Sequence, residues 1–339
     1  MSVQIRRELT FSLAHLGNMT ILRSIGCWVY RYVYRLTSYS SWKNAALPGD
    51  VFVKNTEIPL EGRSLPATIF VPNVEEGTDQ KLRPLIVYFH GGGMCMGNSA
   101  TTHYYSNVVF ASLLKCTIVS VDYRLAPKHS FPSGPEDAIA ATKWIAENAS
   151  NFPSHNGSIV VMGDSAGATL ALLSCCEEAT ATTTTTIAGA ILFYPLLESP
   201  EAGFPSWQEM AKGHALTADV QNFLWWSYLG VTPKEFEAAH KSSKFDEASP
   251  EKELLLALAF PLRIPESVLK AKMPPTFLVT AEYDILKDEG KALGDKMKKA
   301  GAPVEHKHYI AEHGFMCTDG KKEQFEECLR DLESWMAKL

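Results

Sequence analysis

The chain has 339 residues, 46% of them hydrophobic and 21% charged, with 22 glycines and 19 prolines. That composition supports a large buried core and excludes both an intrinsically disordered chain and a fibrous one. Lys and Arg total 32 against 38 Asp and Glu, a formal net charge of −6; a general nucleic-acid binder carries a basic face, so nucleic acid is not an expected partner.

Seven cysteines, Cys27, Cys95, Cys116, Cys175, Cys176, Cys317 and Cys328, form no even framework and no C-x-x-C pair. Free thiols in a reducing compartment are therefore expected. No run of about 18 apolar residues predicts a stable membrane span. Arg6-Arg7 followed by Leu9–Ala14 has the outline of a signal peptide, but Glu8, His15 and Asn18 interrupt it and no small-x-small site follows. The expected location is the cytoplasm.

Residues 1–50 read as an amphipathic helical segment crowded with aromatics, among them Trp28, Tyr30, Tyr32, Tyr34, Tyr39 and Trp42. Val51–Val53 and Ala67–Val71 then read as strands of an antiparallel meander, with Pro72-Asn73 and the polar run 75–83 as its turn. Wholly apolar strands follow at Leu85–Phe89, Thr117–Val121, Ile159–Met162, Ile187–Phe193 and Thr276–Thr280, and a further strand is expected at Val304–Ile310. Helices are expected near 136–149, 166–178, 286–300 and 321–338, and the threonine run 182–186 reads as an exposed loop. Strands apolar on both faces that alternate with helices predict an α/β fold with a mostly parallel sheet covered on both sides.

Residues 198–270 break this alternation. They hold no strand-like core run but carry Phe204, Trp207, Phe223, Trp225, Trp226, Tyr228 and Phe236. The expected organisation is a core of 51–197 and 271–339, with 1–50 and the helical insertion 198–270 forming a cap over the carboxyl edge of the sheet.

Two motifs carry chemistry. Gly163-Asp164-Ser165-Ala166-Gly167 joins an apolar strand to a helix. Glycines two positions either side of a serine give strand and helix room to approach, so the turn lifts the hydroxyl above the sheet. The helix N-terminus beside it favours developing negative charge. His90-Gly91-Gly92-Gly93 follows the strand Leu85–Phe89. Three glycines expose backbone N–H groups that suit an oxyanion, and a phosphate cradle would end in Lys-Ser/Thr where Met94-Cys95-Met96 stands. Gly92, Gly93 and Ala166 are the expected oxyanion donors.

A serine nucleophile needs a base, and the base needs an orienting carboxylate. Asp284 follows the strand Thr276–Thr280, and His313 follows Val304–Ile310. The chain order Ser165, Asp284, His313 is the one expected of a nucleophile elbow of this kind. Asp288 and Glu289 are rivals for the acid, and both read as first-turn residues of the next helix. His306 and His308 read as strand residues, and His214 belongs to the insertion.

Together with Asp122-Tyr123-Arg124-Leu125-Ala126-Pro127 and His313-Gly314-Phe315, these motifs occur in one order over residues 85–315. In that set the chain resembles the hormone-sensitive-lipase family of α/β-hydrolases. The resemblance implies an α/β-hydrolase fold with a helical cap, and a serine carboxylesterase or lipase that needs no cofactor or metal. Two positions depart from the family's habit: Met94 and Met96 stand where aromatics often follow the glycines, and Lys128 stands where many members have an acid. The expected partner is a small-molecule ester with a short-to-medium acyl chain. An amidase, deacetylase or natural-product hydrolase would use the same triad, and a non-catalytic receptor on the same scaffold would have no need of His313.

Overall fold

A computed structural model describes residues 24, 26–28, 31, 48–73, 83–153, 156–177, 185–232, 234–235, 250–317 and 322–339. Eight strands form one sheet: β1 (Val51–Leu60), β2 (Arg63–Pro72), β3 (Leu85–Phe89), β4 (Ile118–Val121), β5 (Ser158–Asp164), β6 (Thr186–Phe193), β7 (Thr276–Tyr283) and β8 (Val304–Glu312). Their spatial order is β1-β2-β4-β3-β5-β6-β7-β8. The pairs β1/β2 and β2/β4 are antiparallel, and all others are parallel. The hairpin between β1 and β2 turns at Glu61-Gly62 rather than at Pro72-Asn73. The expected turn is thus the far end of β2, because Glu61-Gly62 lies inside what reads as one polar stretch and Gly62 adopts the left-handed φ of 72° that a tight turn needs. Residues 74–82 lie outside the described residues.

The helices are α1 (Tyr104–Leu114), α2 (Ser133–Glu147), α3 (Ala166–Cys176), α4 (Ala218–Leu229), α5 (Pro250–Ala259), α6 (Glu266–Lys272), α7 (Lys287–Ala300) and α8 (Lys322–Met336). Neighbouring strand residues feed two separate cores, as the two-residue period of a strand requires. Val87, Val119, Val161 and Leu192 face one core with α2, α3 and α7. Tyr88, Ile118, Met162 and Ile191 face the other with α1 and α8. Burial on both faces is why these strands are apolar throughout. Helix α1 has no counterpart in the sequence expectations: its Val108-Val109-Phe110 run has β-branched residues and no helical alternation, and packing of Val108, Phe110, Ala111 and Leu114 against the sheet overrides that propensity.

The order of strands fixes where a site can form. From β3 the chain crosses to β4 on one side, and from β5 it crosses to β6 on the other. The loops after β3 and β5 therefore part in opposite directions and leave a crevice at the carboxyl edge, the topological switch point of an open α/β sheet.

Between β6 and β7 the insertion holds a helical turn at Ser206–Glu209, α4, α5 and α6. Its two ends are tied together by Arg263, which donates to both carboxylate oxygens of buried Glu198 at 3.0 and 3.1 Å and lies over the Phe260 ring. Of the adjacent tryptophans in α4, Trp225 is buried and Trp226 half-buried, as a 100° step between helical neighbours dictates. Ser24, Gly26–Trp28 and Arg31 are helical; the rest of the expected N-terminal segment up to residue 47 lies outside the described residues, as do Phe236 and Thr182–Thr184. At the described end of the threonine run Thr185 is a buried bend residue and Thr186, exposed, already starts β6. All seven cysteines are free thiols, six of them buried. No helix among the described residues is long and apolar enough to cross a membrane.

One buried carboxylate locks the first hairpin to the parallel sheet. Asp137 in α2 accepts from Arg63 Nε at 2.9 Å, from Arg124 Nε at 2.9 Å and from the Arg124 backbone N–H at 2.9 Å. Asp137→Ala leaves Arg63 without this partner and Arg124 with only Glu136 at 3.6 Å and the Ser133 carbonyl at 3.4 Å, and is expected to destabilise the fold by about 3 kcal/mol, measured by urea unfolding; a loss under about 0.5 kcal/mol would contradict this role.

Candidate active site

A single residue, Ser165, separates β5 from α3, and its backbone sits at φ 53°, ψ −122°. That left-handed conformation costs a non-glycine residue about 1–3 kcal/mol and persists only where its surroundings enforce it. Here the Ser165 N–H donates to the Phe193 carbonyl at 2.8 Å, and the Ser165 carbonyl accepts from Ala168 at 3.0 Å and Thr169 at 3.3 Å. The Thr169 hydroxyl caps the Leu196 carbonyl on the neighbouring strand's exit. A Cβ on Gly163 would run into the Gly167 backbone, and one on Gly167 would strike the carbonyls of Phe89 and His90. The two glycines are thus a steric requirement of the turn.

Asp284 and His313 leave the ends of β7 and β8, two neighbouring strands. His313 Nδ1 lies 2.8 Å from Asp284 Oδ2, and His313 Nε2 lies 3.1 Å from Ser165 Oγ. Asp284 is buried, and its other oxygen accepts from the Leu286 N–H at 2.9 Å. Tyr194 packs its ring against the imidazole at 4.9 Å between centroids. The rival carboxylates point elsewhere: Asp288 accepts from the Ser206 N–H at 2.8 Å, and Glu289 from the Leu197 N–H at 2.7 Å and Trp207 Nε1 at 3.4 Å. Burial pushes the Glu289 carboxyl well above its ordinary range. Both rivals tie α7 to the insertion. His306 and His308 sit two apart on β8 and share Thr280 Oγ1, each at 2.9 Å.

The glycine loop lies across the crevice from this chain of groups. His90 is buried and stacked on Tyr123, with centroids 4.5 Å apart. Burial pushes its imidazole down to about 3, so it is neutral and structural. Gly92 sits at φ 120°, where a Cβ would collide with the Met96 carbonyl, and its own carbonyl accepts from Cys95 and Met96, both at 3.0 Å. Ala166 opens α3, so its N–H has no intrahelical carbonyl to meet. Met94 turns into the core and comes within reach of α2, whereas Met96 joins Cys27, Cys95, Ala126 and Leu224 in a small cluster beside the loop.

Asp164 connects this loop to the serine. It accepts from the Gly91 N–H at 2.8 Å and from Tyr88 OH at 2.6 Å, and it lies 3.3 Å from His103 Nε2. Burial by itself raises its carboxyl, but the His103 charge and the bonds from His103, Tyr88 and Gly91 outweigh that and hold it at about 2. Tyr88 OH and Tyr194 OH also reach Cys317 Sγ at 3.7 and 3.8 Å. Among the described residues, His103, Asp164 and Cys317 are the three whose donor atoms cluster tightly enough to suit a metal ion. Burial pushes the Cys317 thiol well up, and Tyr88, His103, Asp164, Tyr194 and Cys317 are joined in one buried hydrogen-bond network. The sequence carries one signal of it, Tyr88 as a hydroxyl in an otherwise apolar strand, and none for His103 or Tyr194. Of the Asp122–Pro127 motif, Asp122 is fixed by Ser99 at 2.6 Å and Arg124 by Asp137.

The insertion reaches over this loop. Leu224 in α4 occupies the space beside Gly93, and its carbonyl accepts from Cys95 Sγ at 3.6 Å. From the N-terminal segment, Arg31 Nε donates to the Cys95 carbonyl at 2.7 Å and its terminal amine to the Ala126 carbonyl at 3.0 Å.

A mostly parallel eight-stranded sheet with an elbow serine at its switch point defines an α/β-hydrolase. A family model described as the alpha/beta hydrolase fold matches residues 86–317; the chain belongs to this family, in its hormone-sensitive-lipase-like branch, and is an enzyme of the esterase/lipase type. It is 33% identical over 239 residues to the esterase LipI of Mycobacterium tuberculosis, covering 70% of this chain and 67% of that one. It is 32% identical over 223 residues to the carboxylesterase NlhH of the same organism, covering 66% of this chain and 63% of that one. A Pyrobaculum calidifontis esterase structure superposes with a TM-score of 0.74 at 28% identity, covering 93% of this chain and 97% of that one.

The low pKa of Asp164 makes a prediction about acid stability. A carboxylate held below its unfolded value of 3.8 contributes stability above that pH and loses it as pH falls toward about 2. The wild type is therefore expected to exceed Asp164→Asn in stability by about 2 kcal/mol at neutral pH, with the gap closing between about pH 4 and 2. Urea unfolding of both proteins across that range checks it, and a gap independent of pH would contradict it.

Proposed function

We propose that the enzyme is a serine carboxylic-ester hydrolase that works through Ser165, His313 and Asp284 and an acyl-enzyme intermediate. The observation that carries this reading is the unbroken chain from Ser165 Oγ through both nitrogens of His313 to buried Asp284. In the first step Ser165 Oγ attacks the acyl carbon while His313 Nε2 takes its proton. Asp284 holds the imidazole in the tautomer that can accept there, and then stabilises the imidazolium. The N–H groups of Gly92, Gly93 and Ala166 receive the charge that develops on the carbonyl oxygen, and the start of α3 adds the favourable end of its dipole. His313 returns its proton to the leaving alcohol. Water, deprotonated by the same imidazole, then releases the acid.

The support for the oxyanion loop is mechanical. Asp164 fixes Gly91 on one side and is peptide-bonded to Ser165 on the other, so donors and nucleophile move as a unit. The insertion 198–270, with the N-terminal segment, serves as the cap. Leu224 and Met96 pack beside the glycine loop and make that side of the site apolar, which rewards each buried methylene of a substrate by roughly 0.8 kcal/mol until the space is full. Substrates are accordingly small-molecule esters of short-to-medium acyl chains. Activated amides would follow the same steps, whereas a receptor would have no use for an intact proton relay.

Ser165→Ala is expected to lower kcat/KM for p-nitrophenyl butyrate by at least about 10⁴, with the fold intact by circular dichroism. Asp284→Asn is expected to lose about 10³–10⁴ in kcat, and Asp288→Asn less than about tenfold. A Ser165→Ala enzyme within tenfold of wild type would defeat the reading. Across acetate, butyrate, hexanoate, octanoate, laurate and palmitate esters, kcat/KM should peak at about four to eight carbons; a steady rise through palmitate would contradict the capped pocket.

A further inference from the structure

We propose that His214 and Glu312 form a clasp by which the insertion sets the position of the catalytic acid and base, an inference that rests on the triad reading above. Glu312 is the last residue of β8 and precedes His313; Tyr283 is the last residue of β7 and precedes Asp284. The two are register partners, beyond a shift that interrupts the β7/β8 ladder between Ala281 and Tyr283. The sheet's own hydrogen bonding is therefore irregular at the point where the acid and the base leave it.

Residues 214 and 215 of the insertion land on that pair. The His214 imidazole lies flat on the Tyr283 ring, with centroids 5.8 Å apart and planes 3° apart. Its Nδ1 is 3.2 Å from Glu312 Oε1, and the Ala215 N–H donates to Glu312 Oε2 at 3.1 Å. Both carboxylate oxygens are held by adjacent residues of one loop, so Glu312 has little rotational freedom left. Its backbone in turn sets the direction in which His313 departs toward Ser165. One imidazole thus braces the residue before the acid by stacking and the residue before the base by a hydrogen bond.

The clasp should act on rate more than on stability. His214 and Glu312 are 24% and 40% exposed at their side chains, and ion pairs at that exposure contribute about 0–1 kcal/mol. A displacement of about 1 Å in a catalytic group, however, costs up to 10²-fold in rate. His214 and Glu312 are positioning residues, since neither is required to touch the reacting atoms.

The test measures kcat, KM, melting temperature and the second-order rate of Ser165 labelling by a fluorophosphonate in His214→Ala, Glu312→Ala, the double variant and His214→Asn. Each alanine variant is expected to lose roughly tenfold in both kcat and labelling rate, with KM within about twofold and melting temperature within about 3 °C. Because the pair acts as one unit, the double variant should be no slower than either single. His214→Asn, whose amide can still donate to Glu312, should recover to within about threefold of wild type. Alanine variants within about twofold of wild type in kcat and labelling would overturn the clasp, as would losses that multiply in the double variant. Ser165→Ala is the control for the underlying reading: if it still takes the label at the wild-type rate, the triad and the clasp fall together, whereas normal labelling of wild type with unaffected clasp variants removes the clasp alone.

Discussion

A serine backbone held at φ 53°, ψ −122° is the constraint around which this site is built. The conformation is unfavourable by about 1–3 kcal/mol and cannot be sustained by the turn alone. It is sustained because β5 and α3 approach so closely that Gly163 and Gly167 touch each other's backbone and the end of β3. The same approach brings the glycine loop, which follows β3, beside Ser165. Strand order does the rest, since β3 and β5 are neighbours whose onward connections part to opposite sides. The serine turn and the glycine loop beside it are thus consequences of one packing event.

Below that surface the site is tied together by groups that perform no chemistry. Asp164 bonds Gly91 of the loop and Tyr88 of β3, while Tyr88 and Tyr194 meet at Cys317, four residues past His313. An ionised carboxylate in a fully buried position is tolerable only with this number of donors around it. The arrangement joins the loop after β3, the elbow after β5 and the turn after β8 through side chains. A parallel ladder could not do so by itself, because its hydrogen bonds end where those loops begin. The N-terminal segment adds a further tie at Arg31 and the insertion adds ties at Leu224 and to Asp288 and Glu289, which hold the covering elements to the glycine loop and to α7.

Much of this was legible in the sequence because the relevant signals are local. Leu85–Phe89 is apolar throughout and proves to be a strand with identical bounds, since both of its faces are buried. The elbow is readable because its glycines are a steric requirement of five consecutive residues, and Asp284 and His313 because each follows a strand end. The failures share one cause, which is that the deciding contact lies far along the chain. Helix α1 is specified by the sheet face it covers rather than by its own periodicity. The β1–β2 hairpin turns at Glu61-Gly62, where ten register pairs outweigh the stronger local turn signal at Pro72-Asn73. Tyr88, His103 and Asp137 acquire their roles from partners 76, 61 and 74 residues away. Met94 directly follows the three glycines, yet a left-handed backbone at φ 61° turns it into the core.

The central claim is that Ser165 carries the acyl group during turnover. Rapid mixing with excess p-nitrophenyl butyrate, acid quenching and mass analysis of the digested chain test it most directly. The account predicts a burst approaching one equivalent of nitrophenol when deacylation is the slower step, and a single butyryl group on the peptide that contains Ser165. A butyryl group found on a different residue, with the Ser165 peptide unmodified at every quench time, would contradict it.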